Sequence, residues 1–211
     1  MLDETIVPNC SYADQIIARK HSPDGYESYK SFKHWIRDDF WFRCIYCLSR
    51  ETWYPNGHRA FSIDHVVPKS VAPSLELSYK NLVYSCLWCN SAKNNAGFRD
   101  PVNEPLGIHL AILDSGVVES RTEYGETIIH MLLLNEPERV ESRRRGLLLS
   151  ELFSQDPDNE RLREKYYSWF GFPTSIPDLE LLRPPRGNRN KGSEFQCAFA
   201  RNGRGELDLV Y

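Results

Sequence analysis

Cys44-Ile45-Tyr46-Cys47, Ile63-Asp64-His65-Val66-Val67-Pro68-Lys69, Asn81-Leu82-Val83-Tyr84 and Cys86-Leu87-Trp88-Cys89-Asn90-Ser91-Ala92-Lys93 follow one another within residues 44–94. Two CxxC pairs bracket an Asp-His dipeptide, and an Asn stands directly after the last Cys. Each CxxC forms a knuckle that offers two sulfurs to one ion, and two knuckles close a tetrahedral thiolate site. Cys44, Cys47, Cys86 and Cys89 are therefore expected to hold a structural Zn²⁺, because four soft ligands leave no open position for water. The rivals are four buried free thiols or a redox pair. A redox CxxC normally occurs once, in a thioredoxin-like βαβ context that this sequence lacks.

Outward from the cysteines, Tyr29, Phe32, Ile36 and Phe40 recur at helical spacing, which predicts a helix over residues 29–42 that packs beneath the first CxxC. Residues 51–54 and 59–63 flank Asn56-Gly57, and that turn chemistry predicts a hairpin with a longer loop. Its second strand delivers Asp64 and His65 at its end. Pro68 and Pro73 force a loop, residues 82–85 read as a short apolar strand, and a helix starts near Leu87 and stops at Gly97. The expected order is strand, loop, strand, helix, with Asn90 near the start of the helix.

The 211 residues are 41% hydrophobic and 12% aromatic, which supports a proper core and argues against global disorder. No apolar run approaches the roughly 20 residues that span a bilayer, and the start lacks the basic-then-apolar pattern of a signal peptide. A cytoplasmic chain with no membrane association is expected, and reducing conditions there keep thiols free for metal. Cys10 and Cys197 read as ordinary small apolar residues. A formal net charge of -3 argues against coating nucleic acid by bulk charge, although it leaves room for a local basic groove.

Asp64-His65 at a strand end, Asn81 before a strand and Asn90 at a helix start resemble the HNH nuclease family, and the four cysteines resemble its zinc-bearing branch. The resemblance covers residues 44–94 of 211 and includes the Asp-His-x-x-Pro run, the Asn-Leu-x-x-x-Cys-x-x-Cys run and the Lys three positions after Asn90. Asn90 replaces the family's final His, which makes this an HNN variant. The resemblance implies an α+β chain: a ββα-metal core stapled by the four-cysteine zinc site, with a mostly helical C-terminal extension. It implies His65 as general base, a role suited to a side chain that titrates near neutrality. Asp64 and Asn90 would bind a catalytic Mg²⁺ or Mn²⁺ through oxygen, and Asn81 would tie the loop so that His65 points correctly. Lys93 could reach a phosphate from the same helix face as Asn90, and His58 could touch substrate from the turn before Asp64.

Four regions follow from this pattern: residues 1–43 as a helical segment packing on the core, 44–99 as the nuclease core, 100–182 as an accessory region of hairpin and helices, and 183–211 as a basic linker and tail. In the accessory region, residues 111–118 read as a hairpin, 126–134 as a helix, and Pro137 as the first turn of a helix whose Arg143, Arg144 and Arg145 face solvent. A last weak hairpin is expected around Asn202-Gly203. Residues 107–145 are loosely similar to extensions of bacterial HNH proteins in antiphage defence systems, which implies work beside a partner protein such as an ATPase. The expected activity is phosphodiester hydrolysis, chiefly nicking of DNA, with RNA not excluded. The alternative is a catalytically silent, zinc-stapled module that binds nucleic acid or protein.

Overall fold

Phe61–His65 (β1) and Leu82–Cys86 (β2) pair antiparallel, with Phe61 opposite Cys86, Asp64 opposite Val83 and His65 opposite Leu82. Both strands are rich in β-branched and aromatic residues, which suits a pleated and buried surface. Phe61 stacks on Tyr84 with ring centroids 5.1 Å apart, a diagonal cross-strand contact that holds the register. The chain passes from β2 straight into Leu87–Lys93 (α2), which packs against both strands. Asn94, with φ 48°, ends this helix rather than Gly97.

The computed structural model describes residues 11, 12, 14, 18–182, 184, 193–208 and 210. They belong to two compact units, one spanning residues 17–102 and 173–208 and the other built on residues 103–172. Cys10, residues 13 and 15–17 and nearly all of the basic stretch 183–192 lie outside the described residues.

In the first unit, Tyr29–Phe32 forms a 3-10 turn that leads into Lys33–Asp39 (α1). The helix stops short of residue 42 because Trp41 and Phe42 adopt φ 53° and 56°, an uncommon conformation for bulky residues that turns the chain toward the first CxxC. Residues 51–54 and 59–63 do not pair. Glu51–Trp53 and Gly57–Ala60 are 3-10 turns, and β1 takes its partner from β2. Near the C-terminus, Ala198–Gly203 forms a short helix (α6) capped by Cys197, not a hairpin.

The second unit contains the hairpin of Leu110–Ile112 (β3) and Val118–Ser120 (β4), then Glu123–Leu132 (α3), Pro137–Gln155 (α4) and Glu160–Phe170 (α5). Gly125 sits where a Cβ would lie 2.2 Å from the His109 carbonyl, so only glycine lets α3 approach β3 this closely. Arg143 does not face solvent. It is buried and clasps the hairpin, its Nε donating to Gly116 O and Nη2 to Leu134 O, both at 2.6 Å. Arg144 and Arg145 pair with Glu141 on the exposed face. No helix among the described residues is long and apolar enough to cross a membrane.

α1 buries charge. Arg37 makes a bidentate pair with Glu51 at 2.8 Å, and the Tyr84 hydroxyl donates to the same carboxylate at 2.5 Å. One residue further, Asp38 takes the Lys20 ammonium at 2.6 Å, the His21 imidazole at 2.8 Å and the Ala198 N–H at 2.7 Å. Burial works to raise Asp38, but the His21 hydrogen bond, the Lys20 charge and the Ala198 N–H outweigh it and hold the carboxyl below its ordinary value. Beside it, burial dominates and raises Asp39, although Tyr79 donates to it at 2.7 Å.

A depressed native pKa contributes stability above the unfolded-chain value of about 3.9 and loses it as pH falls through the native value. Removing one partner of a buried ion pair costs about 3–5 kcal/mol. Asp38→Ala is therefore expected to lose that amount in urea unfolding at pH 7. The gap to wild type should narrow as acid titrates the wild-type carboxylate.

Candidate active site

The first CxxC is a tight hairpin knuckle. The Ser49 carbonyl accepts from Cys44 N–H at 2.8 Å, the Cys44 carbonyl accepts from Leu48 N–H at 3.0 Å, and Leu48 takes φ 60°. Ile45 N–H donates to Tyr84 O at 3.0 Å, which pins the knuckle to β2. The second knuckle is the junction of strand and helix: Cys86 ends β2 and caps α2, its sulfur accepting from Cys89 N–H at 3.4 Å. Cys44, Cys47, Cys86 and Cys89 are all buried, and their sulfurs lie within 4.8 Å of one another. A tetrahedron with Zn–S bonds of about 2.3 Å has edges near 3.8 Å. Cys47 and Cys86 sulfurs are 3.7 Å apart, so the donor set fits zinc. Burial pushes the Cys44 and Cys89 thiols well up, so these sulfurs become thiolates together with a cation rather than before it.

β1 ends on Asp64 and His65 beside α2. The Tyr46 hydroxyl, from inside the first knuckle, donates to Asp64 Oδ2 at 2.6 Å. The Lys93 ammonium lies 3.3 Å from Oδ1 and 3.2 Å from Oδ2 of the same carboxylate, and donates to the His65 carbonyl at 2.8 Å. Burial raises Asp64 above its ordinary value, against the lowering effect of Lys93 and Tyr46. His65 Nε2 stands 3.0 Å from the Glu76 carbonyl. That contact assigns the proton to Nε2 and leaves Nδ1 with the lone pair.

Asn81 is buried and closes the loop between the strands. Its Oδ1 accepts from Val67 N–H at 2.9 Å, and its Nδ2 donates to Val67 O at 3.0 Å and Leu75 O at 3.3 Å. Asn90 donates from Nδ2 to Ser62 Oγ at 2.7 Å and Ile63 O at 3.3 Å, which leaves its amide oxygen as the atom available to a ligand. Asp64, His65 and Asn90 line one cavity of about 470 Å³, together with Tyr29 and Lys69. Asp64 and Asn90 bring one carboxylate and one amide oxygen to it. This hard donor set suits Mg²⁺ or Mn²⁺, which keep waters and take further oxygens from substrate phosphate. Lys93 tempers that fit, since its ammonium offsets charge that a cation would meet.

The HNH endonuclease family matches residues 44–96, a stretch that contains both knuckles, β1, β2 and α2. These residues form an HNH domain. The chain is also similar to the Septu protein PtuB of Bacillus thuringiensis, at 26% identity over 106 residues, or 46% of this chain. The match spans 38% of that relative's length.

Two sequence expectations change within this HNH domain. Lys93 is only 1% exposed; it braces Asp64 from below rather than reaching outward for phosphate. The direction of α2 explains this, because the position one turn beyond Asn90 faces β1. His58 is absent from the residues that line the cavity; its carbonyl accepts from Lys33 at 3.0 Å, and burial and the Arg37 guanidinium lower its pKa. Three residues with a place in the site went unread: Tyr46, Tyr29 and Lys69. Tyr46 lies inside a CxxC, where only the cysteines carry a pattern. Tyr29 precedes the family match and reads as one more apolar position on a helix.

The domain should bind one Zn²⁺ per chain, measured by elemental analysis, and Cys89→Ser should lose both the metal and cooperative thermal unfolding. Asn81→Ala leaves Val67 N–H without its partner, and an unsatisfied buried group costs about 1–3 kcal/mol. Urea unfolding of zinc-loaded protein should show a loss of that size.

Proposed function

We propose that the chain is a metal-dependent endonuclease that hydrolyses phosphodiester bonds, with DNA as substrate and His65 as the general base. The observation that carries the reading is the convergence of Asp64, His65 and Asn90 on one cavity beside the four-cysteine site. The Glu76 carbonyl fixes the imidazole tautomer through Nε2, so Nδ1 is the atom that takes a proton from attacking water. Tyr29 holds the ring edge-on with centroids 4.8 Å apart. Asn81 keeps the loop closed up to Leu75 O, which sets the neighbouring Glu76 carbonyl in place. Tyr46 and Lys93 hold the Asp64 carboxylate at the cavity wall. Mg²⁺ or Mn²⁺ held by Asp64 and Asn90 would supply charge stabilisation at the scissile phosphate and its leaving 3′ oxygen.

A plasmid assay on zinc-loaded protein, with and without added Mg²⁺, tests this reading. Nicked circles should appear before linear product, because one site has one base. His65→Ala should abolish nicking while keeping zinc content and fold. Direct linearisation with no nicked intermediate would instead indicate an obligate dimer. The amide oxygen of Asn90 predicts support by Mg²⁺ and Mn²⁺ but little by Ni²⁺, and a clear Ni²⁺ optimum in the same titration counts against this ligand set.

The similarity to the Septu protein, and the likeness of residues 107–145 to extensions in defence-type HNH proteins, support a role as a cytoplasmic defence effector that works beside a partner such as an ATPase. Purified chain that degrades DNA at full rate by itself would overturn the partner requirement. One observation favours the rival reading of a silent binding module: the Lys93 ammonium already pairs with Asp64. Folded, zinc-loaded wild type that binds DNA but never cuts it, with or without cellular partners, would support that rival.

A further inference from the structure

Among the residues lining the cavity, Lys69 is the one lysine or arginine. Lys93 cannot serve an incoming anion, since its ammonium is buried against Asp64 and the His65 carbonyl. Lys69 differs in every respect. Its side chain is 54% exposed, and its ammonium lies 5.2 Å from the centroid of the Tyr29 ring. It also stands 3.7 Å from Glu76 Oε1, an exposed pair of long side chains. Such pairs are weak and readily exchanged for another anion.

The surroundings of Lys69 also meet those of His65. The Tyr29 ring that the ammonium overlies is the ring that packs on the imidazole. The residue that supplies its carboxylate, Glu76, gives its backbone carbonyl to His65 Nε2. The cation and the base are therefore set by the same two residues, one from the segment before α1 and one from the loop between the strands.

We propose that Lys69 is the phosphate-contacting cation of this site. The Tyr29 ring faces the ammonium, and Glu76 holds it until a nucleic-acid backbone displaces that carboxylate. This rests on the nuclease reading and adds to it a residue for substrate binding. Lys69 contributes to affinity, His65 to chemistry, and Glu76 competes with substrate for the ammonium.

The test is equilibrium binding of a fluorescein-labelled DNA duplex to the full, zinc-loaded chain without Mg²⁺ or chelator, across 50–200 mM salt. Each phosphate contact contributes about 0.9 to the slope of log K against log salt on duplex DNA. Lys69→Ala should lower that slope by about one contact, so its affinity deficit shrinks roughly threefold between 50 and 200 mM salt. Lys69→Arg should restore the slope, and Glu76→Gln should bind more tightly than wild type. In cleavage, Lys69→Ala should raise KM far more than it lowers kcat. Circular dichroism and zinc content guard against misfolding. Wild type that binds DNA while Lys69→Ala keeps both slope and affinity overturns this inference and leaves the nuclease reading standing. Wild type with no measurable affinity for DNA overturns both.

Discussion

Four sulfurs drawn into one buried cluster are the constraint on which the HNH domain depends. The knuckles stand at opposite ends of the segment that carries β1, the loop and β2, so closing them on one cation fixes where that segment begins and ends. Without a cation, the cluster is four thiols packed away from water, a poor substitute for a hydrophobic core of the same volume. The coupling to chemistry is short. Tyr46 is held between Cys44 and Cys47, and its hydroxyl donates to Asp64. Ile45 in the same knuckle bonds β2 at Tyr84, and Tyr84 reaches Glu51 and through it Arg37 on α1. The four-cysteine cluster is thus linked to the Asp64 carboxylate through one side chain, Tyr46.

The second theme is how much charge the unit of residues 17–102 and 173–208 buries around a small sheet. Arg37 with Glu51, Lys20 and His21 with Asp38, and Lys93 with Asp64 are three clusters in which each carboxylate meets a cation. Such pairs are a weak source of net stability, because desolvation opposes their attraction. They are specific, however, since a shifted register would leave charges unpaired. A two-stranded ribbon with one short helix has few apolar layers to define its register. The four-cysteine cluster and the buried pairs do that instead.

The legible parts of the sequence were those in which pattern is local or chemically rigid. The cysteine spacing, the strand that ends in Asp64-His65, the strand after Asn81 and the helix after Cys86 all declare themselves within a few residues. The false hairpin over residues 51–63 came from equally local evidence. Asn56-Gly57 makes a good turn, but the true partner of β1 is supplied by Leu82–Cys86, a long-range choice that no turn residue encodes. Arg143 failed differently. A run of arginines reads as solvated, yet one of them finds two backbone carbonyls around Gly116 and Leu134 that need donors. The same logic inverted Lys93. Spacing placed it on the Asn90 face of the helix, but only packing reveals that this face looks inward at a carboxylate.

That inversion changes what kind of site this is. A lysine aimed at solvent would add positive charge to a phosphate-binding groove. A lysine buried under Asp64 instead keeps the carboxylate partly compensated, and it does so while bonded to the His65 carbonyl, so the positions of Asp64 and His65 are set by one side chain. Burial still raises Asp64, which means that the carboxylate is held in a setting that favours it less than water does. A group in that condition gains when a divalent cation and its waters arrive, because the cation supplies the compensation that burial withheld. A divalent cation bound there would relieve part of that burial penalty, offset by the Lys93 ammonium that it would meet. For the cation proposed to meet substrate, Lys69 is the lysine lining the cavity whose ammonium is still within reach of water.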